Sequence, residues 1–368
     1  MSINNILYPV TREGTEIMAE ILGLGVTHYP GVVVAPEHWS KFLMLRTESG
    51  QVPAEIFDNK DSWPDLMRAE WADDKGAAAG EKHRTRMIAA SGKLRDAIDD
   101  FNPDLVVIWG DDQYENFTHD CIPAFCVYIL DQVTCRPYNP RFFGDVENVW
   151  GYASDAELVV KGHRQGANAL CKALLADGFD TAYAYNTRHP GGLAHSFNNA
   201  LLYLDYEQTG FPYPIVPFHV NCYGSRMTDI ADDTAGGKIQ DLSPPSPSPR
   251  RCFDIGRATA RFFADSPWRV ALIASSSWSH ANLTEKNDFL YPDIPSDRAR
   301  FEDLENGDFK GWGDINIKQI EDAGQHEFAN WICLAGAMTE TNQRFEAIDF
   351  VESHLFNSSK CFGLFEPV

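Results

Sequence analysis

Residues able to bind a metal or transfer a proton follow three apolar segments of this 368-residue sequence. His28 follows the apolar run in GVTHYP, two aspartates, a glutamine and a glutamate follow VVIWG within 111–115, and His280 ends the segment SSSWSH. Imidazoles and carboxylates ligate transition metals, and a histidine exchanges protons near neutral pH. In α/β proteins the loops beyond the carboxyl ends of strands converge on one site. The pattern predicts a polar site, with a bound metal as one interpretation.

Two further segments add candidate residues. Glu327 lies in GQHEFANW between a glycine turn and an apolar run, so we expect it to face inward near the start of a helix. His195 lies beside the glycine-rich turn of HPGGLAHSF. His326 neighbours Glu327 but points about 100° away on a helix, which places it outside the same site.

Each of these residues also has a purely structural interpretation. A single histidine at a strand end is more often hydrogen-bonded within the fold than a ligand, and a lone Glu327 on a helix is more often solvated. Asp111 and Asp112 are equally typical of a turn after a strand, because aspartate accepts backbone N–H groups there. The remaining histidines in polar or helical settings are assigned to the surface. They are His119, His163 and His354.

The apolar pattern predicts the elements that must position these residues. Strands are predicted at 23–27, 105–110, 181–186, 213–222 and 268–280, and helices at 81–101, 162–180, 250–265 and 324–338. Helices that alternate with buried strands indicate an α/β protein with a mostly parallel or mixed sheet. The prolines within 213–222 suit an edge strand or a strand start. Residues 46–80 and 241–251 are predicted to be loop excursions, and no internal repeat or domain boundary interrupts the chain.

Composition limits the classes of partner. Apolar residues make up 44% and the formal net charge is −22, which indicates a globular protein and argues against nucleic acid or an anionic membrane as the main partner. The N-terminal sequence contains neither a signal peptide nor a long apolar span, so a cytoplasmic location is expected. The eight cysteines form no CxxC pair and are expected to be reduced and mostly buried.

Four motifs, in this order, resemble the class III extradiol ring-cleavage dioxygenases, the family of the protocatechuate 4,5-dioxygenase catalytic (beta) subunit. They are GVTHYPG, HPGGLAHSFNNALLYL, ALIASSSWSHA and GQHEFANWICLAGAM, and the resemblance runs through roughly residues 20–345. It implies a single α/β domain over 1–368, built around a central mixed sheet with helices packed on it and the site at the strand ends. It further implies His28 and Glu327 as iron ligands, His280 as the catalytic acid/base, and His195 as a residue that contacts the substrate or supports those that do.

The sequence departs from the family at GDDQYENF. The family has Asp-His at this strand end and uses the histidine as its second iron ligand, whereas Gln113 stands at that position here. Glutamine can ligate through its amide oxygen, although this is a weaker donor to Fe(II) than imidazole. Alternatively Asp111 or Asp112 replaces it and gives a harder site suited to Fe(II) or Mn(II), or the metal is lost. We favour a retained metal, because both other ligands and the base are present.

The resemblance therefore implies a non-haem Fe(II) dioxygenase, with Mn(II) as a second possible metal, that opens a catechol-like or aminophenol-like ring with O2. The alternatives are a metal-dependent or metal-free lyase or hydrolase that does not use O2, and a non-catalytic subunit. The family implies a homodimer, or a complex with a small helical partner subunit. Several aromatic and basic side chains are candidates for contact with the ring and with an anionic substituent. They are Tyr29, Trp109, Tyr114, Trp278, Arg136, Arg188 and Arg226.

Overall fold

The computed structural model describes residues 20–118, 120–224 and 244–368. The strands are β1 Ile21–Val26, β2 Leu105–Gly110, β3 Phe125–Tyr128, β4 Gln132–Cys135, β5 Leu158–Lys161, β6 Ala182–Ala184, β7 Ile215–Val220, β8 Val270–Ser275, β9 Gln343–Val351 and β10 Lys360–Pro367. Eight of them form one mixed sheet in the order β6-β3-β7-β2-β8-β1-β10-β9, and β4 pairs with β5 in a separate ribbon.

The described helices pack around this sheet. They are α1 Lys41–Glu48, α2 Ala54–Asp58, α3 Asp65–Trp71, α4 Ala77–Phe101, α5 Arg164–Ala176, α6 His195–Leu204, α7 Pro249–Ala264, α8 Ile294–Asn306, α9 Ile317–Asp322 and α10 Phe328–Glu340. Short 3₁₀ turns occur at Pro30–Val33, Pro36–His38, Lys60–Ser62, Ala281–Leu283, Glu285–Asn287 and Asp308–Asp314. The chain thus forms a single α/β domain around a large mixed sheet, and the predicted fold class is confirmed.

The four central strands are parallel, which sets the position of the site. β7, β2, β8 and β1 are parallel neighbours, so their carboxyl ends meet at one edge of the sheet. Every residue of β2 and β8 is buried, as expected for strands covered on both faces. One apolar layer contains α7 and α10, and the layer on the opposite face contains α4 and α6.

The helices α7 and α10 are in backbone contact. A Cβ atom at Gly256 of α7 would lie 1.8 Å from the carbonyl oxygen of Cys333, and a Cβ atom at Gly336 of α10 would lie 2.0 Å from that of Phe253. Only glycine fits at both points of this crossing. The close approach fixes α10, and therefore Glu327 at its start, against the sheet.

The segment 46–80 is mostly helical, so its prediction as a loop excursion was wrong. It contains the end of α1, all of α2 and α3, and the start of α4. A few apolar side chains in this polar stretch are buried, among them Val52, Trp63 and Met67, and they hold the short helices onto the domain. The polar residues occupy the outer faces, which hides the helical pattern in the sequence.

Two other predictions need correction. In 241–251, residues 241–243 lie outside the described part and 244–248 have no helix or strand, but Pro249 already begins α7. Of the two alternatives for the prolines of 213–222, the edge strand is wrong, because β7 lies between β3 and β2, whereas the strand start agrees with Pro214. Pro214 precedes the strand, whereas Pro217 lies inside it opposite Ile108 of β2.

The predicted surface histidines differ in their surroundings. His354 is buried at 9% exposure, and His163 is half-buried where its Nδ1 accepts the N–H of Gly166 at the start of α5. His119 and Arg226 lie outside the described residues. All eight cysteines are free thiols and only Cys121 is exposed, as predicted. No helix in the described ranges is long and apolar enough to cross a membrane.

Candidate active site

The candidate site lies beyond the carboxyl ends of the central parallel strands. His28 follows β1, Asp111 follows β2, Tyr223 follows β7, and His280 follows β8. Glu327 is the residue directly before α10 and is fully buried. Chain segments that are distant in sequence are therefore brought together at this edge.

His28, Asp111 and Glu327 form a buried cluster whose donor atoms all lie within 4.8 Å of one another. Nε2 of His28 is 3.0 Å from Oε2 of Glu327 and 3.8 Å from Oδ1 of Asp111. Nδ1–H of His28 donates to the carbonyl oxygen of Ser275 at 3.0 Å. This hydrogen bond directs the other ring nitrogen toward the two carboxylates.

The donor atoms of this cluster are suited to a metal ion. Nε2 of His28, Oδ2 of Asp111 and Oε2 of Glu327 are buried and have no hydrogen-bond partner within the described part of the chain, although the first and last face each other at ion-pair distance. Buried polar atoms without a partner are costly unless another group satisfies them. One imidazole nitrogen and two carboxylate oxygens fit a divalent transition metal such as Fe(II) or Mn(II).

The electrostatics of the cluster favour an additional cation. Burial raises the pKa of Asp111, and repulsion by Glu327 raises it further, well above its usual range. Burial also disfavours the charge of Glu327, but attraction by His28 and His280 outweighs this and holds the pKa of Glu327 well below its usual range. Burial alone would lower the pKa of His28. Attraction by the carboxylates of Glu327 and Asp111 outweighs this effect and raises the pKa of His28 to about 9. The raised pKa of Asp111 shows that a single imidazolium does not compensate both carboxylates in their ionised form, a charge that a divalent cation would compensate.

Gln113 contacts Glu327 with its amide nitrogen. Nε2 of Gln113 donates to Oε1 of Glu327 at 3.0 Å and to the hydroxyl oxygen of Tyr223 at 2.8 Å. Tyr223 in turn donates its hydroxyl proton to the same Oε1. The ionised carboxylate only accepts hydrogen bonds, so the amide group that faces it must be the NH2. The pair engages Oε1 and leaves Oε2 directed at His28.

His280 is held in the tautomer of a proton acceptor. Its Nδ1 lies 2.7 Å from the carbonyl oxygen of Trp278, which accepts hydrogen bonds only, so Nδ1 carries the proton. In the neutral ring Nε2 then has a free lone pair, and this atom is 3.3 Å from Oε1 of Glu327. Burial lowers the pKa of His280 and attraction by Glu327 reverses this only in part, so the neutral form of the ring is favoured.

His195 begins α6 and contacts the cluster through its ring. The centroids of the His195 and His28 rings are 5.3 Å apart in an edge-to-face arrangement. Nδ1 of His195 lies 2.6 Å from Oε1 of Glu115, and Arg141 pairs with the same oxygen at 3.2 Å. Burial disfavours the charged form of Glu115, but attraction by His195 and Arg141 outweighs this effect and lowers the pKa of Glu115 to about 2. An ionised Glu115 therefore orients His195.

Asp112, a possible substitute ligand from the sequence, lies outside the three-residue cluster. Its Oδ1 accepts the backbone N–H of Glu115 at 2.8 Å, and its Oδ2 accepts that of Asn116 at 2.9 Å. Asp112 therefore caps the turn after β2, which is the structural role that the sequence also allowed for an aspartate after a strand. Asp111, the preceding residue, is the aspartate that the structure brings to His28 and Glu327.

Curated proteins similar in sequence are ring-cleavage dioxygenases. Three are named 2,3-dihydroxyphenylpropionate/2,3-dihydroxicinnamic acid 1,2-dioxygenase. The protein of Paraburkholderia phymatum is 25% identical over 70% of this chain and 82% of its own length. That of Burkholderia vietnamiensis is 24% identical over 76% and 87%, and that of Photorhabdus laumondii 27% identical over 55% and 50%. The chain thus spans about half the length of the last relative.

These similarities support an extradiol ring-cleavage dioxygenase-like enzyme. No protein-family model matches the chain. Among solved structures, an uncharacterized protein of Escherichia coli K12 aligns with a TM-score of 0.44 and 12% identity, over 76% of this chain and 92% of its own.

The aromatic candidates mostly lie in the core. Trp109 packs against Phe218 and Trp278 against Trp331, and all four are fully buried. Tyr29 is buried beneath the ammonium group of Lys360, which lies 4.0 Å from the centre of its ring. Tyr114 lies in the loop after β2 with a positive φ of 63°. Burial within the fold is the more common role of such side chains.

Sequence reasoning missed two residues of the site, Tyr223 and Arg141. Tyr223 follows the predicted strand at 213–222, so its place at a strand end was a usable signal. Arg141 lies in a loop between β4 and β5, and no local pattern points to it. Among the proposed arginines, Arg136 lines a cleft and pairs with Glu157, whereas Arg188 pairs with Asp120 at the surface.

Proposed function

We propose that this chain is a non-haem Fe(II)-dependent dioxygenase that opens a catechol-like or aminophenol-like ring with O2, with Mn(II) as a second possible metal. The observation that carries the proposal is a set of three buried atoms, on His28, Asp111 and Glu327, beside the imidazole of His280. Apart from the ion pair between His28 and Glu327, these atoms have no polar partner that satisfies them within the described part of the chain. The similarity to ring-cleavage dioxygenases supports the same reaction class.

A metal would be held by Nε2 of His28 and by carboxylate oxygens of Asp111 and Glu327. When bound, it would supply Lewis-acid and redox chemistry for a diol and O2. The protein residues bind, orient and move protons. Tyr223 and Gln113 fix Glu327 by occupying Oε1, so only Oε2 is directed at His28.

His280 acts as the proton acceptor. Its Nε2 lone pair takes a proton from a ring hydroxyl, which makes the substrate more electron-rich, and the resulting imidazolium returns the proton later in the reaction. The carbonyl of Trp278 holds the ring in this orientation throughout. His195, oriented by Glu115, contacts the bound ring from the side of the cleft.

The test combines metal analysis with oxygen uptake. Protein purified without O2 is analysed for iron and manganese, and O2 consumption is then followed with catechol, 2-aminophenol and 2,3-dihydroxyphenylpropionate. We expect one metal ion per chain, O2 uptake with a diol, and loss of the metal in His28→Ala and Glu327→Ala. Arg188→Ala, at an exposed ion pair, is the matched control. A wild-type protein without metal, or turnover that persists without O2, would contradict the proposal.

A further inference from the structure

A cleft of about 300 Å³ opens beside His195, and Glu115 is also part of its lining. Its wall includes Phe142, Leu193 and Val33, and its charged residues include Arg136 and Arg141. The ring of Phe142 is 5.2 Å from that of His195, which is 5.3 Å from that of His28. Two successive ring contacts, from Phe142 to His195 and from His195 to His28, therefore connect the cleft with the proposed metal site.

Arg141 presents unused hydrogen-bond donors to this cleft. Its guanidinium lies 4.5 Å from the centre of the Phe142 ring, and its side chain is 36% exposed. In the described part of the chain only Nη2 is engaged, 3.2 Å from Oε1 of Glu115, to which Nδ1–H of His195 also donates. Within the described residues, Nη1 and Nε of Arg141 donate no hydrogen bond. A guanidinium whose two adjacent N–H groups are not engaged can bind a carboxylate through two hydrogen bonds.

Two other charged residues of the cleft, Arg136 and Glu115, are already paired. Arg136 donates to Oε1 of Glu157 at 2.8 Å and to the carbonyl of Pro190 at 2.9 Å. Glu115 accepts from the ring and the backbone N–H of His195 as well as pairing with Arg141. Asp155 is the other carboxylate of the lining. Arg141 is thus the cation with the most donor capacity left for a ligand.

We propose that Arg141 binds the carboxylate of a short acidic side chain on the substrate ring, and that it selects aryl-alkanoate diols over uncharged diols. The proposal rests on the proposed function, because the ring must be held at the His28 cluster while its side chain extends past His195. In this arrangement the apolar wall formed by Phe142 and Leu193 contacts the methylene groups of that side chain. The guanidinium of Arg141 lies over the ring of Phe142, at the end of the side chain that carries the carboxylate.

The test measures binding rather than turnover. Mn(II)-loaded protein is titrated without O2 with 2,3-dihydroxyphenylpropionate, its methyl ester and catechol, using wild type, Arg141→Met, Arg141→Lys and the control Arg188→Met. We expect Arg141→Met to weaken binding of the acid by roughly 10- to 100-fold, the range of a charged hydrogen-bonded contact, and to weaken binding of the ester and catechol by a clearly smaller factor. Arg141→Lys should retain part of the preference, since it keeps the charge but not the planar donor pair.

A second titration separates this inference from the proposed function. 3-Phenylpropionate, which has the carboxylate but no diol, is added to metal-free wild type and Arg141→Met. If wild type binds 3-phenylpropionate weakly and Arg141→Met does not, the carboxylate site is supported. This result would stand even if no diol binds and the dioxygenase proposal fails. Equal affinity of wild type for acid and ester overturns the inference. An equal loss for acid, ester and catechol in Arg141→Met also overturns it, because Arg141 would then only support Glu115 and His195.

Discussion

Asp111 and Gln113 are two residues apart. Asp111 faces His28 and Glu327 with a carboxylate oxygen, whereas Gln113 faces Glu327 with its amide nitrogen. We predict that Asp111→Asn abolishes stoichiometric metal binding, because it removes one of two charged oxygens in the cluster. Gln113→Ala should bind metal more weakly by about 10- to 100-fold, the usual cost of losing a residue that orients a ligand. The measurement is a competitive titration of the metal-free proteins with Mn(II) and a chelator. The reverse order of effects would make Gln113 the ligand.

In the proposed mechanism, His280 accepts a proton and does not hold the metal. We predict that His280→Gln lowers kcat by about 10²- to 10⁴-fold, the range expected for a lost proton acceptor, while the metal content stays at the wild-type value. Burial lowers the pKa of His280, so the wild-type rate should fall only at a pH below the ordinary range of histidine, where the ring gains a proton. This acidic limb should be absent from the pH profile of the variant. Loss of the metal in His280→Gln would contradict the assignment.

At the residue scale, the sequence indicated which side chains converge but not how Gln113 is used. His28, His280 and Glu327 were predicted from their positions at element ends, and the structure brings both histidines within ion-pair distance of Glu327. Asp111, Asp112 and Gln113 are consecutive, and their directions depend on the turn after β2. That turn is set by contacts to distant segments, such as the bond from Gln113 to Tyr223, which no local pattern encodes.

At the element scale, the crossing of α7 and α10 positions Glu327, and two glycines permit it. We predict that Gly256→Ala lowers the free energy of unfolding by at least about 1–3 kcal/mol, because the new methyl group meets the backbone carbonyl of Cys333. Gly92→Ala is the matched control, an exposed helix position in α4 with open space around its Cα. It should stabilise the protein by up to about 1 kcal/mol, since alanine favours helix.

Urea unfolding of both variants measures the difference. The two substitutions add the same atoms to a helix, so opposite signs isolate the effect of the helix contact. Metal affinity of Gly256→Ala provides an independent readout, because a displaced α10 should move Glu327. Equal stability of the two variants would show that the helices adjust without cost.

Elements with strong local patterns were predicted well, and those that depend on long-range pairing were not. The helix at 324–338 and the strand at 268–280 agree with α10 and β8 to within a few residues, because both are long apolar runs with clear boundaries. The C-terminal pair β9 and β10 was missed, since β9 is largely half-exposed or exposed and its pattern is weak. This strand pair is held in the sheet by antiparallel pairing of β10 with β1, and β1 lies more than 300 residues before β10 in the sequence.

At the scale of the whole molecule, alternation of helices and strands was enough to predict the α/β class. It was not enough to predict the strand order, because sheet neighbours such as β2 and β8 are separated by more than 150 residues. The site depends on that order, since it joins the ends of β1, β2, β7 and β8. A homodimer, or a complex with a small helical subunit, stays a prediction, which a solution mass measurement tests.

The net charge of the molecule should make its stability depend on salt. There are 53 acidic and 31 basic residues, so excess carboxylates repel one another over long distances. Raising NaCl from about 0.01 M to about 0.15 M shortens the screening length from about 30 Å to about 8 Å. Exposed ion pairs such as Arg164–Asp131, 2.8 Å apart, are closer than either length and are weakened little.

We therefore predict that the thermal midpoint rises by a few degrees over this range of NaCl, because long-range repulsion is screened more strongly than short-range attraction. The measurement is thermal unfolding of the protein at fixed metal loading. Choline chloride should give the same rise, since screening depends on ionic strength and not on the cation, whereas an uncharged osmolyte at equal osmolality should not reproduce it. A midpoint that falls with either salt would mean that the surface ion pairs outweigh the repulsion of the excess carboxylates.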